Sequence, residues 1–293
     1  MKPSTRVILR KHGLRIDRFI HNYVYFVFYQ PYMRTALLAI NLMGKVPWFK
    51  PLNPAIDALY QRFHAKVLVP EDARKVLALQ EDLSAVSERN KRIIPFRYAY
   101  KIIFQEPESI AVMDCPCRKV TPPYEDVNCC IAVGGDLASF WLEHCEKYHV
   151  RKITQAEALR IVEGYRRAGN ITQAFFRVAT GGSTGVICSC HPATCVSLKA
   201  TAATRQFRKE FSMSATSGYS VSIDAARCNA CGECLEHCHT DALTLATGEL
   251  HYDTDLCLGC GLCIERCHRQ ALSLYLDPTK PLPLDVDRVR RDF

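Results

Sequence analysis

The chain combines stretches of helical periodicity with short runs typical of β-strands. Apolar side chains recur at helical spacing over residues 54–92, and residues 153–168 form an amphipathic pattern with Thr154 as N-cap and Glu157 completing a capping box. Apolar or alternating runs predict strands at 110–113, 185–187, 219–223 and 250–252. We therefore predict an α+β protein whose N-terminal and middle regions are mostly helical and whose C-terminal module contains two of the strands.

An aromatic and apolar segment, residues 19–44, lies close to the start of the chain. Polar residues interrupt it too often for a membrane span, which needs about 20 apolar residues in a row. The positions that interrupt it include His21, Asn22, Gln30, Pro31, Arg34 and Asn41. The segment predicts helices that lie on a surface and do not cross a bilayer.

Basic residues surround the beginning of this segment, with Asp17 as the only acidic residue among them. They are Lys2, Arg6, Arg10, Lys11, Arg15 and Arg18. A basic cluster beside an aromatic stretch that ends near Trp48 is typical of an anchor on an anionic membrane surface. The alternative is a helix that docks on the middle domain or on a partner subunit. We predict a cytoplasmic location, with or without attachment to the inner face of the cell membrane.

Composition makes cysteine the residue that needs an explanation. The chain has 293 residues, of which 48% are hydrophobic and 23% charged, values that argue against both disorder and a polytopic membrane protein. It contains 16 cysteines, and its first residues do not form a signal peptide. The cysteines are therefore expected to be reduced and bound to metal, not paired in disulfides. The net charge of +8 points to an anionic partner.

A repeat with a period of 29 residues accounts for half of the cysteines. Both copies follow the pattern C-x2-C-x2-C-x3-C, and a glycine follows the second cysteine of each, Gly232 and Gly261. The first copy contains Cys228, Cys231, Cys234 and Cys238, and the second contains Cys257, Cys260, Cys263 and Cys267. Small residues at this position let the backbone approach cluster sulfur, and the fourth cysteine is expected to begin a short helix.

This repeat resembles the bacterial two-[4Fe-4S] ferredoxin family over about residues 218–277. The resemblance implies that the ligands cross between the copies. Cluster one would be held by Cys228, Cys231, Cys234 and Cys267. Cluster two would be held by Cys257, Cys260, Cys263 and Cys238. A pair of zinc sites is the alternative, but zinc does not require a fourth thiol at the same spacing in both copies.

The chain departs from that family after the fourth cysteine of each copy. Histidines occupy the position at which the family usually has proline, His239 and His268. Unlike proline, histidine provides a backbone N–H beside the cluster, which stabilises the reduced state and predicts higher potentials than in the proline form. The alternative is that both histidines face solvent at the start of a helix.

Most of the other cysteines fall into two groups, DCPCR…VNCC and CSCHPATC, each preceded by an apolar run. Two thiols separated by one residue lie on the same face of an extended segment and can contact one metal centre. The pattern predicts a third metal site with Cys115, Cys117, Cys130, Cys188, Cys190 and Cys195 as candidate ligands. Cys145 is predicted to be a helix core residue. His191 could replace a missing thiolate, and the favoured alternative is a plain surface histidine. The third site could hold an iron–sulfur cluster or zinc, or its cysteines could be free buried thiols.

The elements D-C-P-C-R, C-x3-G and I-C-x-C, followed by the repeat, resemble a family of larger bacterial and archaeal 4Fe-4S binding proteins. The resemblance extends over about residues 60–280, and these relatives are mostly described as electron carriers. This chain has fewer cysteines between the elements than the family often has. The resemblance implies an electron-transfer protein with redox donor and acceptor proteins as partners.

Four regions follow from these patterns. They are a basic and aromatic segment at 1–53, a cysteine-containing middle domain at 54–217, the ferredoxin domain at 218–277 and a tail at 278–293. Two other functions are compatible with the thiol sites: an oxidoreductase subunit with a substrate-binding iron–sulfur site in the middle domain, and a redox-sensing metalloprotein. No acid–base constellation supports catalysis, and no helix-turn-helix pattern or long basic helix points to nucleic acid.

Overall fold

The computed structural model describes most of the chain in eight ranges. They are residues 2–12, 16–43, 54, 63–96, 101–121, 127–177, 184–205 and 212–292. Trp48 and the helical pattern over residues 55–62 lie outside the described residues. The four-part division of the chain stays a prediction.

Helices and strands alternate through most of the chain. The helices are α1 (Pro3–His12), α2 (Ile16–Val27), α3 (Tyr29–Met43), α4 (Pro70–Leu77), α5 (Pro116–Lys119), α6 (Gly135–His144), α7 (Gln155–Arg167), α8 (Val196–Arg205), α9 (Glu233–Glu236), α10 (Leu262–Glu265) and α11 (Val286–Asp292). The strands are β1 (Phe63–Val67), β2 (Leu83–Val86), β3 (Lys101–Phe104), β4 (Ile110–Met113), β5 (Cys130–Val133), β6 (Arg151–Ile153), β7 (Ile171–Arg177), β8 (Thr184–Cys190), β9 (Ser214–Ala215), β10 (Tyr219–Ile223), β11 (Leu243–Ala246), β12 (Glu249–Tyr252) and β13 (Leu272–Leu276). Two 3-10 turns lie at Glu88–Arg92 and Glu146–Tyr148.

Seven strands form the central sheet in the order β6-β4-β5-β8-β7-β1-β9. Neighbouring strands are antiparallel, except that β1 and β9 are parallel. The α+β class is confirmed, and so are the strands predicted at 110–113, 185–187, 219–223 and 250–252. The middle region, however, is built around this sheet and is not mostly helical as predicted.

Burial on both faces of the sheet explains that error. Every residue of β5 is buried, so its sequence lacks the alternation that marks a strand with one wet face. One face packs beneath α2, α3, α6 and α8, and the other beneath α4, α7, α11 and the β2–β3 hairpin. A continuous apolar run of this kind resembles a buried helix when only the sequence is considered.

Helix α7 begins as its sequence predicts. The Thr154 hydroxyl accepts a hydrogen bond from the Glu157 N–H at 3.2 Å and so satisfies one backbone donor of the first turn. The Glu157 carboxylate pairs with Arg151 at 2.7 Å. The cap fixes the start of the helix that later carries Arg166 to the ferredoxin-like repeat.

The N-terminal helices dock on the sheet domain with one face and expose apolar residues on another. Tyr25, Phe26 and Tyr29 are buried, and the Phe26 ring contacts Phe140 and Trp141 of α6 at centroid distances of 5.8 and 5.9 Å. The exposed apolar side chains of this region are Ile20, Val24, Phe28, Leu38 and Leu42. None of the helices within the described ranges is both long and apolar enough to cross a membrane.

The cysteine repeat forms a module of two short strand pairs, β10–β13 and β11–β12, with α9 and α10 between them. Each short helix contains the third cysteine of its copy, and the fourth cysteine follows the end of the helix. The prediction that the fourth cysteine begins a helix is therefore wrong. Gly232 and Gly261 have φ angles of 82° and 79°, a left-handed conformation that glycine adopts without steric cost.

After this module the chain returns to the sheet domain. The Leu282 N–H donates a hydrogen bond to the Arg92 carbonyl at 2.6 Å. Lys75 of α4 pairs with Asp285 at 3.0 Å and with Asp287 at 2.9 Å, and α11 joins the hydrophobic core on that face. Before the module, β9 pairs with β1 of the central sheet, so the repeat is held to the rest of the molecule on both of its flanks.

Candidate metal centres

The first three cysteines of one copy share a pocket with the last cysteine of the other. The four, here called thiol group one, are Cys228, Cys231, Cys234 and Cys267. The pocket contains about 360 Å³ of empty space. Burial raises the pKa of Cys234, and the nearby thiols of Cys231 and Cys228 act in the same direction. The Cys267 Sγ also accepts the backbone N–H of Ala271 at 3.3 Å, a hydrogen bond that favours the thiolate.

The corresponding set in the other half is thiol group two, Cys257, Cys260, Cys263 and Cys238. Burial raises the pKa of Cys263, and four further thiols, those of Cys260, Cys257, Cys238 and Cys234, add to the shift. Burial likewise raises the pKa of Cys260 to about 11. The Cys257 Sγ accepts the Gly259 N–H at 3.2 Å. The chain thus brings Cys238 to the cysteines of the second copy.

The two thiol groups differ in their surroundings although their sequences repeat. Cys231 of group one is exposed to solvent. Leu258 and Leu262, which flank Cys260 of group two, are buried in the same hydrophobic core as the central sheet. Group one therefore faces outward, and group two faces the sheet domain.

Arg166 links the sheet domain to group two. Its side chain is only 5% exposed, and its Nη2 and Nε atoms lie 2.5 and 3.0 Å from Oε1 of Glu265, whose side chain is 35% exposed. Nη2 also donates to the Cys260 carbonyl at 2.9 Å. A buried cation held beside this loop stabilises negative charge on a group bound there.

The six cysteines predicted for the third site all line one pocket. They are Cys115, Cys117, Cys130, Cys188, Cys190 and Cys195. Arg118, Ser189 and Thr194 line the same pocket. Together with the neighbouring Cys129, the six cysteines are called the middle thiol site.

Three thiols of this site lie on one face of the sheet. Cys188 and Cys190 are separated by one residue in β8, and Cys130 lies opposite Cys188 in β5. The sulfur atoms of Cys130 and Cys188 are 3.2 Å apart. The extended spacing predicted for Cys188 and Cys190 is therefore present.

The first pair, Cys115 and Cys117, has another geometry. Cys115 is the N-cap of α5 and Cys117 lies within this short helix, so the prediction of an extended pair is wrong here. Pro116 at the first helical position explains the difference, because proline is preorganised for a helix start. Cys195, just before α8, completes the ring of thiols, and Gln173 donates to its sulfur at 3.8 Å.

Sequence reasoning missed two residues of the site. The Cys129 thiol approaches that of Cys115 and donates to the Ser189 carbonyl at 3.6 Å. Arg118 is buried, and its Nη2 donates to Asn170 at 2.6 Å and to the Ser189 carbonyl at 3.4 Å. Two sequence patterns could have identified them: the C-C doublet contains Cys129, and Arg118 ends the C-P-C-R element.

The electrostatics of the site are those of several thiols crowded in a dry pocket. Hydrogen bonds from Cys117, Cys129 and Cys130 lower the pKa of Cys115 well below its usual value. Its negative charge in turn raises the pKa of those three thiols. Burial opposes the charge of Arg118, but the adjacent thiols of Cys129 and Cys115 outweigh burial and raise its pKa. Arg118 therefore supplies a fixed positive charge to an anionic site.

Helix α3 closes the middle thiol site from the N-terminal side. Tyr29 lines the pocket, and the Cys117 thiol lies 3.5 Å from the sulfur of Met33. Within the described residues, no group of three or more His, Cys, Asp or Glu side chains is arranged to hold a single metal ion. The thiols surround a space and do not converge on one point.

Cys145 and the three histidines take different positions. Cys145 is buried just after α6, and its thiol donates to the Phe26 carbonyl at 3.7 Å. It lies away from the middle thiol site and is a core residue, as predicted. The rings of His191 and His239 contact each other at a centroid distance of 5.3 Å. His268, the counterpart of His239 in the repeat, is 82% exposed and pairs with Glu233 at 3.2 Å.

Comparison with known proteins identifies the repeat. Residues 227–271 match the sequence profile of a family described as the 4Fe-4S dicluster domain. This part of the chain is therefore a ferredoxin-like domain that binds 4Fe-4S clusters through cysteines between residues 228 and 267, and iron–sulfur electron transfer is its general function. No curated protein and no solved structure gives a significant match to the chain.

Proposed function

We propose that the protein transfers electrons through two [4Fe-4S] clusters and a third iron–sulfur centre. The observation that carries the third centre is that six cysteines from separate parts of the sequence line one pocket, as four cysteines line a pocket in the ferredoxin-like domain. The clusters, when bound, take up and release single electrons. The chain positions them, excludes water and sets the charge around them.

The proposed ligands follow the two thiol groups. Group one would hold the first cluster and group two the second, with Cys267 and Cys238 crossing between the copies. The chemistry of the donors fits, because each set offers four thiols and nearby backbone N–H groups that donate to sulfur. Since Cys231 is exposed, a soluble redox partner would meet the protein at group one.

The middle thiol site would hold the third centre. Its thiols outnumber the four that a cubane needs. Helix α8 also supplies backbone N–H groups that donate to sulfur. Val196 donates to Cys117, and Ser197 and Leu198 donate to Cys195. Arg118 offsets the negative charge of the bound sulfurs. Zinc is the weaker candidate, because it requires four ligands around one point, which the described residues do not provide.

Iron content tests the third centre directly. Protein purified without oxygen should contain about twelve iron and twelve sulfide per polypeptide, since each [4Fe-4S] cluster contributes about four of each. About eight iron with no zinc would leave only the ferredoxin-like clusters and overturn the third centre. About eight iron together with one zinc would assign the middle thiol site to zinc.

We also propose that the exposed apolar residues of α2 and α3 rest on an anionic membrane surface, at the inner face of the cell membrane. Ile20 and Val24 lie four residues apart on one side of α2, and Phe28 follows the helix end, where its N–H still bonds to the Val24 carbonyl at 2.9 Å. Basic groups accompany them, because Arg34 is exposed on α3 and Lys147 lies 5.2 Å from the Phe28 ring. Apolar side chains combined with cations suit a surface of anionic lipid headgroups.

Vesicle flotation checks this proposal. The protein should float with vesicles that contain anionic lipid, less so at high salt, and it should not float with neutral vesicles. Phe28→Glu combined with Leu38→Glu should abolish flotation, whereas Leu245→Glu, at an exposed apolar position of the ferredoxin-like domain, should not. If the wild-type protein stays unbound and sediments as a dimer that the double variant disrupts, the face is an interface between two copies.

A further inference from the structure

The repeat gives its two halves equivalent histidines, but the fold uses them differently. His239 follows Cys238 of thiol group two, and its Nε2–H donates to the Gly169 carbonyl at 2.7 Å. His268 follows Cys267 of group one and reaches only Glu233 within its own module, with 82% of its side chain exposed. The sequence repeat therefore does not explain why His239 faces the sheet domain.

The ring of His239 contacts a residue directly beside the middle thiol site. His191 directly follows Cys190, and the two imidazole rings pack edge to face at 5.3 Å with an interplanar angle of 65°. His191 is thus next to Cys190 of the sheet domain, and His239 is next to Cys238 of the ferredoxin-like domain. The backbone carbonyl of Gly169 anchors one ring, and the Ala193 N–H donates to Nδ1 of the other at 3.2 Å.

The positions of the thiol groups give this contact a direction. Group one faces solvent through Cys231, whereas Leu258 and Leu262 of group two are buried against the sheet domain. The ring contact joins the residue after Cys238 of group two to the residue after Cys190 of the middle thiol site.

We infer that the contact between His191 and His239 joins thiol group two to the middle thiol site and carries single electrons between them. The inference rests on the proposed third centre. One electron leaves the side of Cys238 and arrives at the side of Cys190, so that one centre is oxidised by one electron and the other is reduced by one. No covalent bond forms or breaks, and an external one-electron reductant supplies the electron.

His191→Asn isolates the ring contact. Asparagine keeps a side-chain acceptor for the turn at Ala193 but removes the aromatic ring, and it leaves the hydrogen bond from His239 to Gly169 in place. Docking of the ferredoxin-like domain is therefore preserved. His191→Phe is the rescue variant, because it restores an aromatic ring at the same position. His268→Ala is the matched control from the other half of the repeat.

The experiment is rapid mixing of the anaerobic protein with limiting dithionite, followed by freeze-quench electron paramagnetic resonance. In the wild type, reduction of the ferredoxin-like clusters should precede a second phase in which the third centre is reduced. His191→Asn should slow the second phase about tenfold, which corresponds to about 1.4 kcal/mol of barrier, and should leave the first phase and the iron content unchanged. His191→Phe should restore most of the rate, and His268→Ala should match the wild type.

Two results would overturn the inference in distinguishable ways. An unchanged second phase in His191→Asn, with about twelve iron per polypeptide, would refute the histidine contact and leave the third centre standing. About eight iron and no second phase in the wild type would refute the third centre and the contact together. Hydrogen exchange at residues 165–170 serves as the structural readout, because a variant that undocks the domain would lose protection there.

Discussion

Replacing Cys188, Cys190 and Cys195 together by serine should remove about four of about twelve iron atoms per polypeptide. The triple variant deletes every thiol that the second cysteine group contributes to the middle thiol site, and only Cys115, Cys117 and Cys130 of the lining thiols remain. Hydroxyl groups are poor ligands for iron–sulfur clusters, so the third centre should not assemble. Iron and sulfide analysis of anaerobic protein measures the effect.

The ferredoxin-like clusters provide the internal check on this variant. Their electron paramagnetic resonance signal should persist, which shows that the protein has folded. Cys145→Ser is the matched control, since this cysteine is equally buried but lies away from the pocket, and it should keep all of the iron. The third centre would be refuted if the triple variant and the wild type contained the same amount of iron.

Replacing Arg166 by methionine should lower the apparent Tm by about 4–8 °C. The variant leaves Glu265 and the Cys260 carbonyl without their cation, and breaking a buried ion pair costs about 3–5 kcal/mol. We expect a loss of stability of about 2 kcal/mol, because Glu265 is 35% exposed and water screens part of the interaction. Each kcal/mol lowers the Tm by about 2–4 °C, which gives the expected shift of about 4–8 °C. Anaerobic scans at a fixed heating rate measure it.

An exposed arginine provides the comparison for this prediction. Arg74 pairs with Glu71 at 3.0 Å, but their side chains are 53% and 62% exposed, so Arg74→Met should change the apparent Tm by less than about 2 °C. Adding Glu265→Leu to Arg166→Met should recover part of the loss, because the second substitution removes the unpaired carboxylate. A Tm for Arg166→Met equal to that of Arg74→Met would mean that the pair of Arg166 and Glu265 does not hold the domain.

The midpoint potential of the adjacent cluster should also fall in Arg166→Met, since a nearby positive charge is lost.

The parts of the site that depend on local spacing could be predicted from the sequence. The 29-residue repeat identified the eight cysteines of the two thiol groups, and the apolar runs before the other cysteine groups correctly predicted β4 and part of β8. These features are predictable because they depend on a few neighbouring residues. The ligand assignments themselves stay predictions.

Features that depend on distant parts of the chain could not be predicted. Arg166 and Glu265 are 99 residues apart, and in sequence Arg166 resembles any basic residue near the end of an amphipathic helix. Cys129 precedes β5, where the strand alternation that places Cys130 does not apply. The helices of the N-terminal segment bury one face against the sheet domain, which agrees with the docking alternative, and attachment to a membrane stays a prediction.

The anchoring of the ferredoxin-like domain on both flanks has a consequence for how the protein meets its partners. Separate domains in one chain usually move relative to each other unless a substantial interface holds them. Here Arg166 forms an ion pair with Glu265, and His239 donates a hydrogen bond to the Gly169 carbonyl. Beyond the domain, the Leu282 N–H donates a hydrogen bond to the Arg92 carbonyl. The domain is therefore fixed relative to the sheet domain, and a redox partner that exchanges electrons at group one, as proposed above, would have to dock at the surface around Cys231.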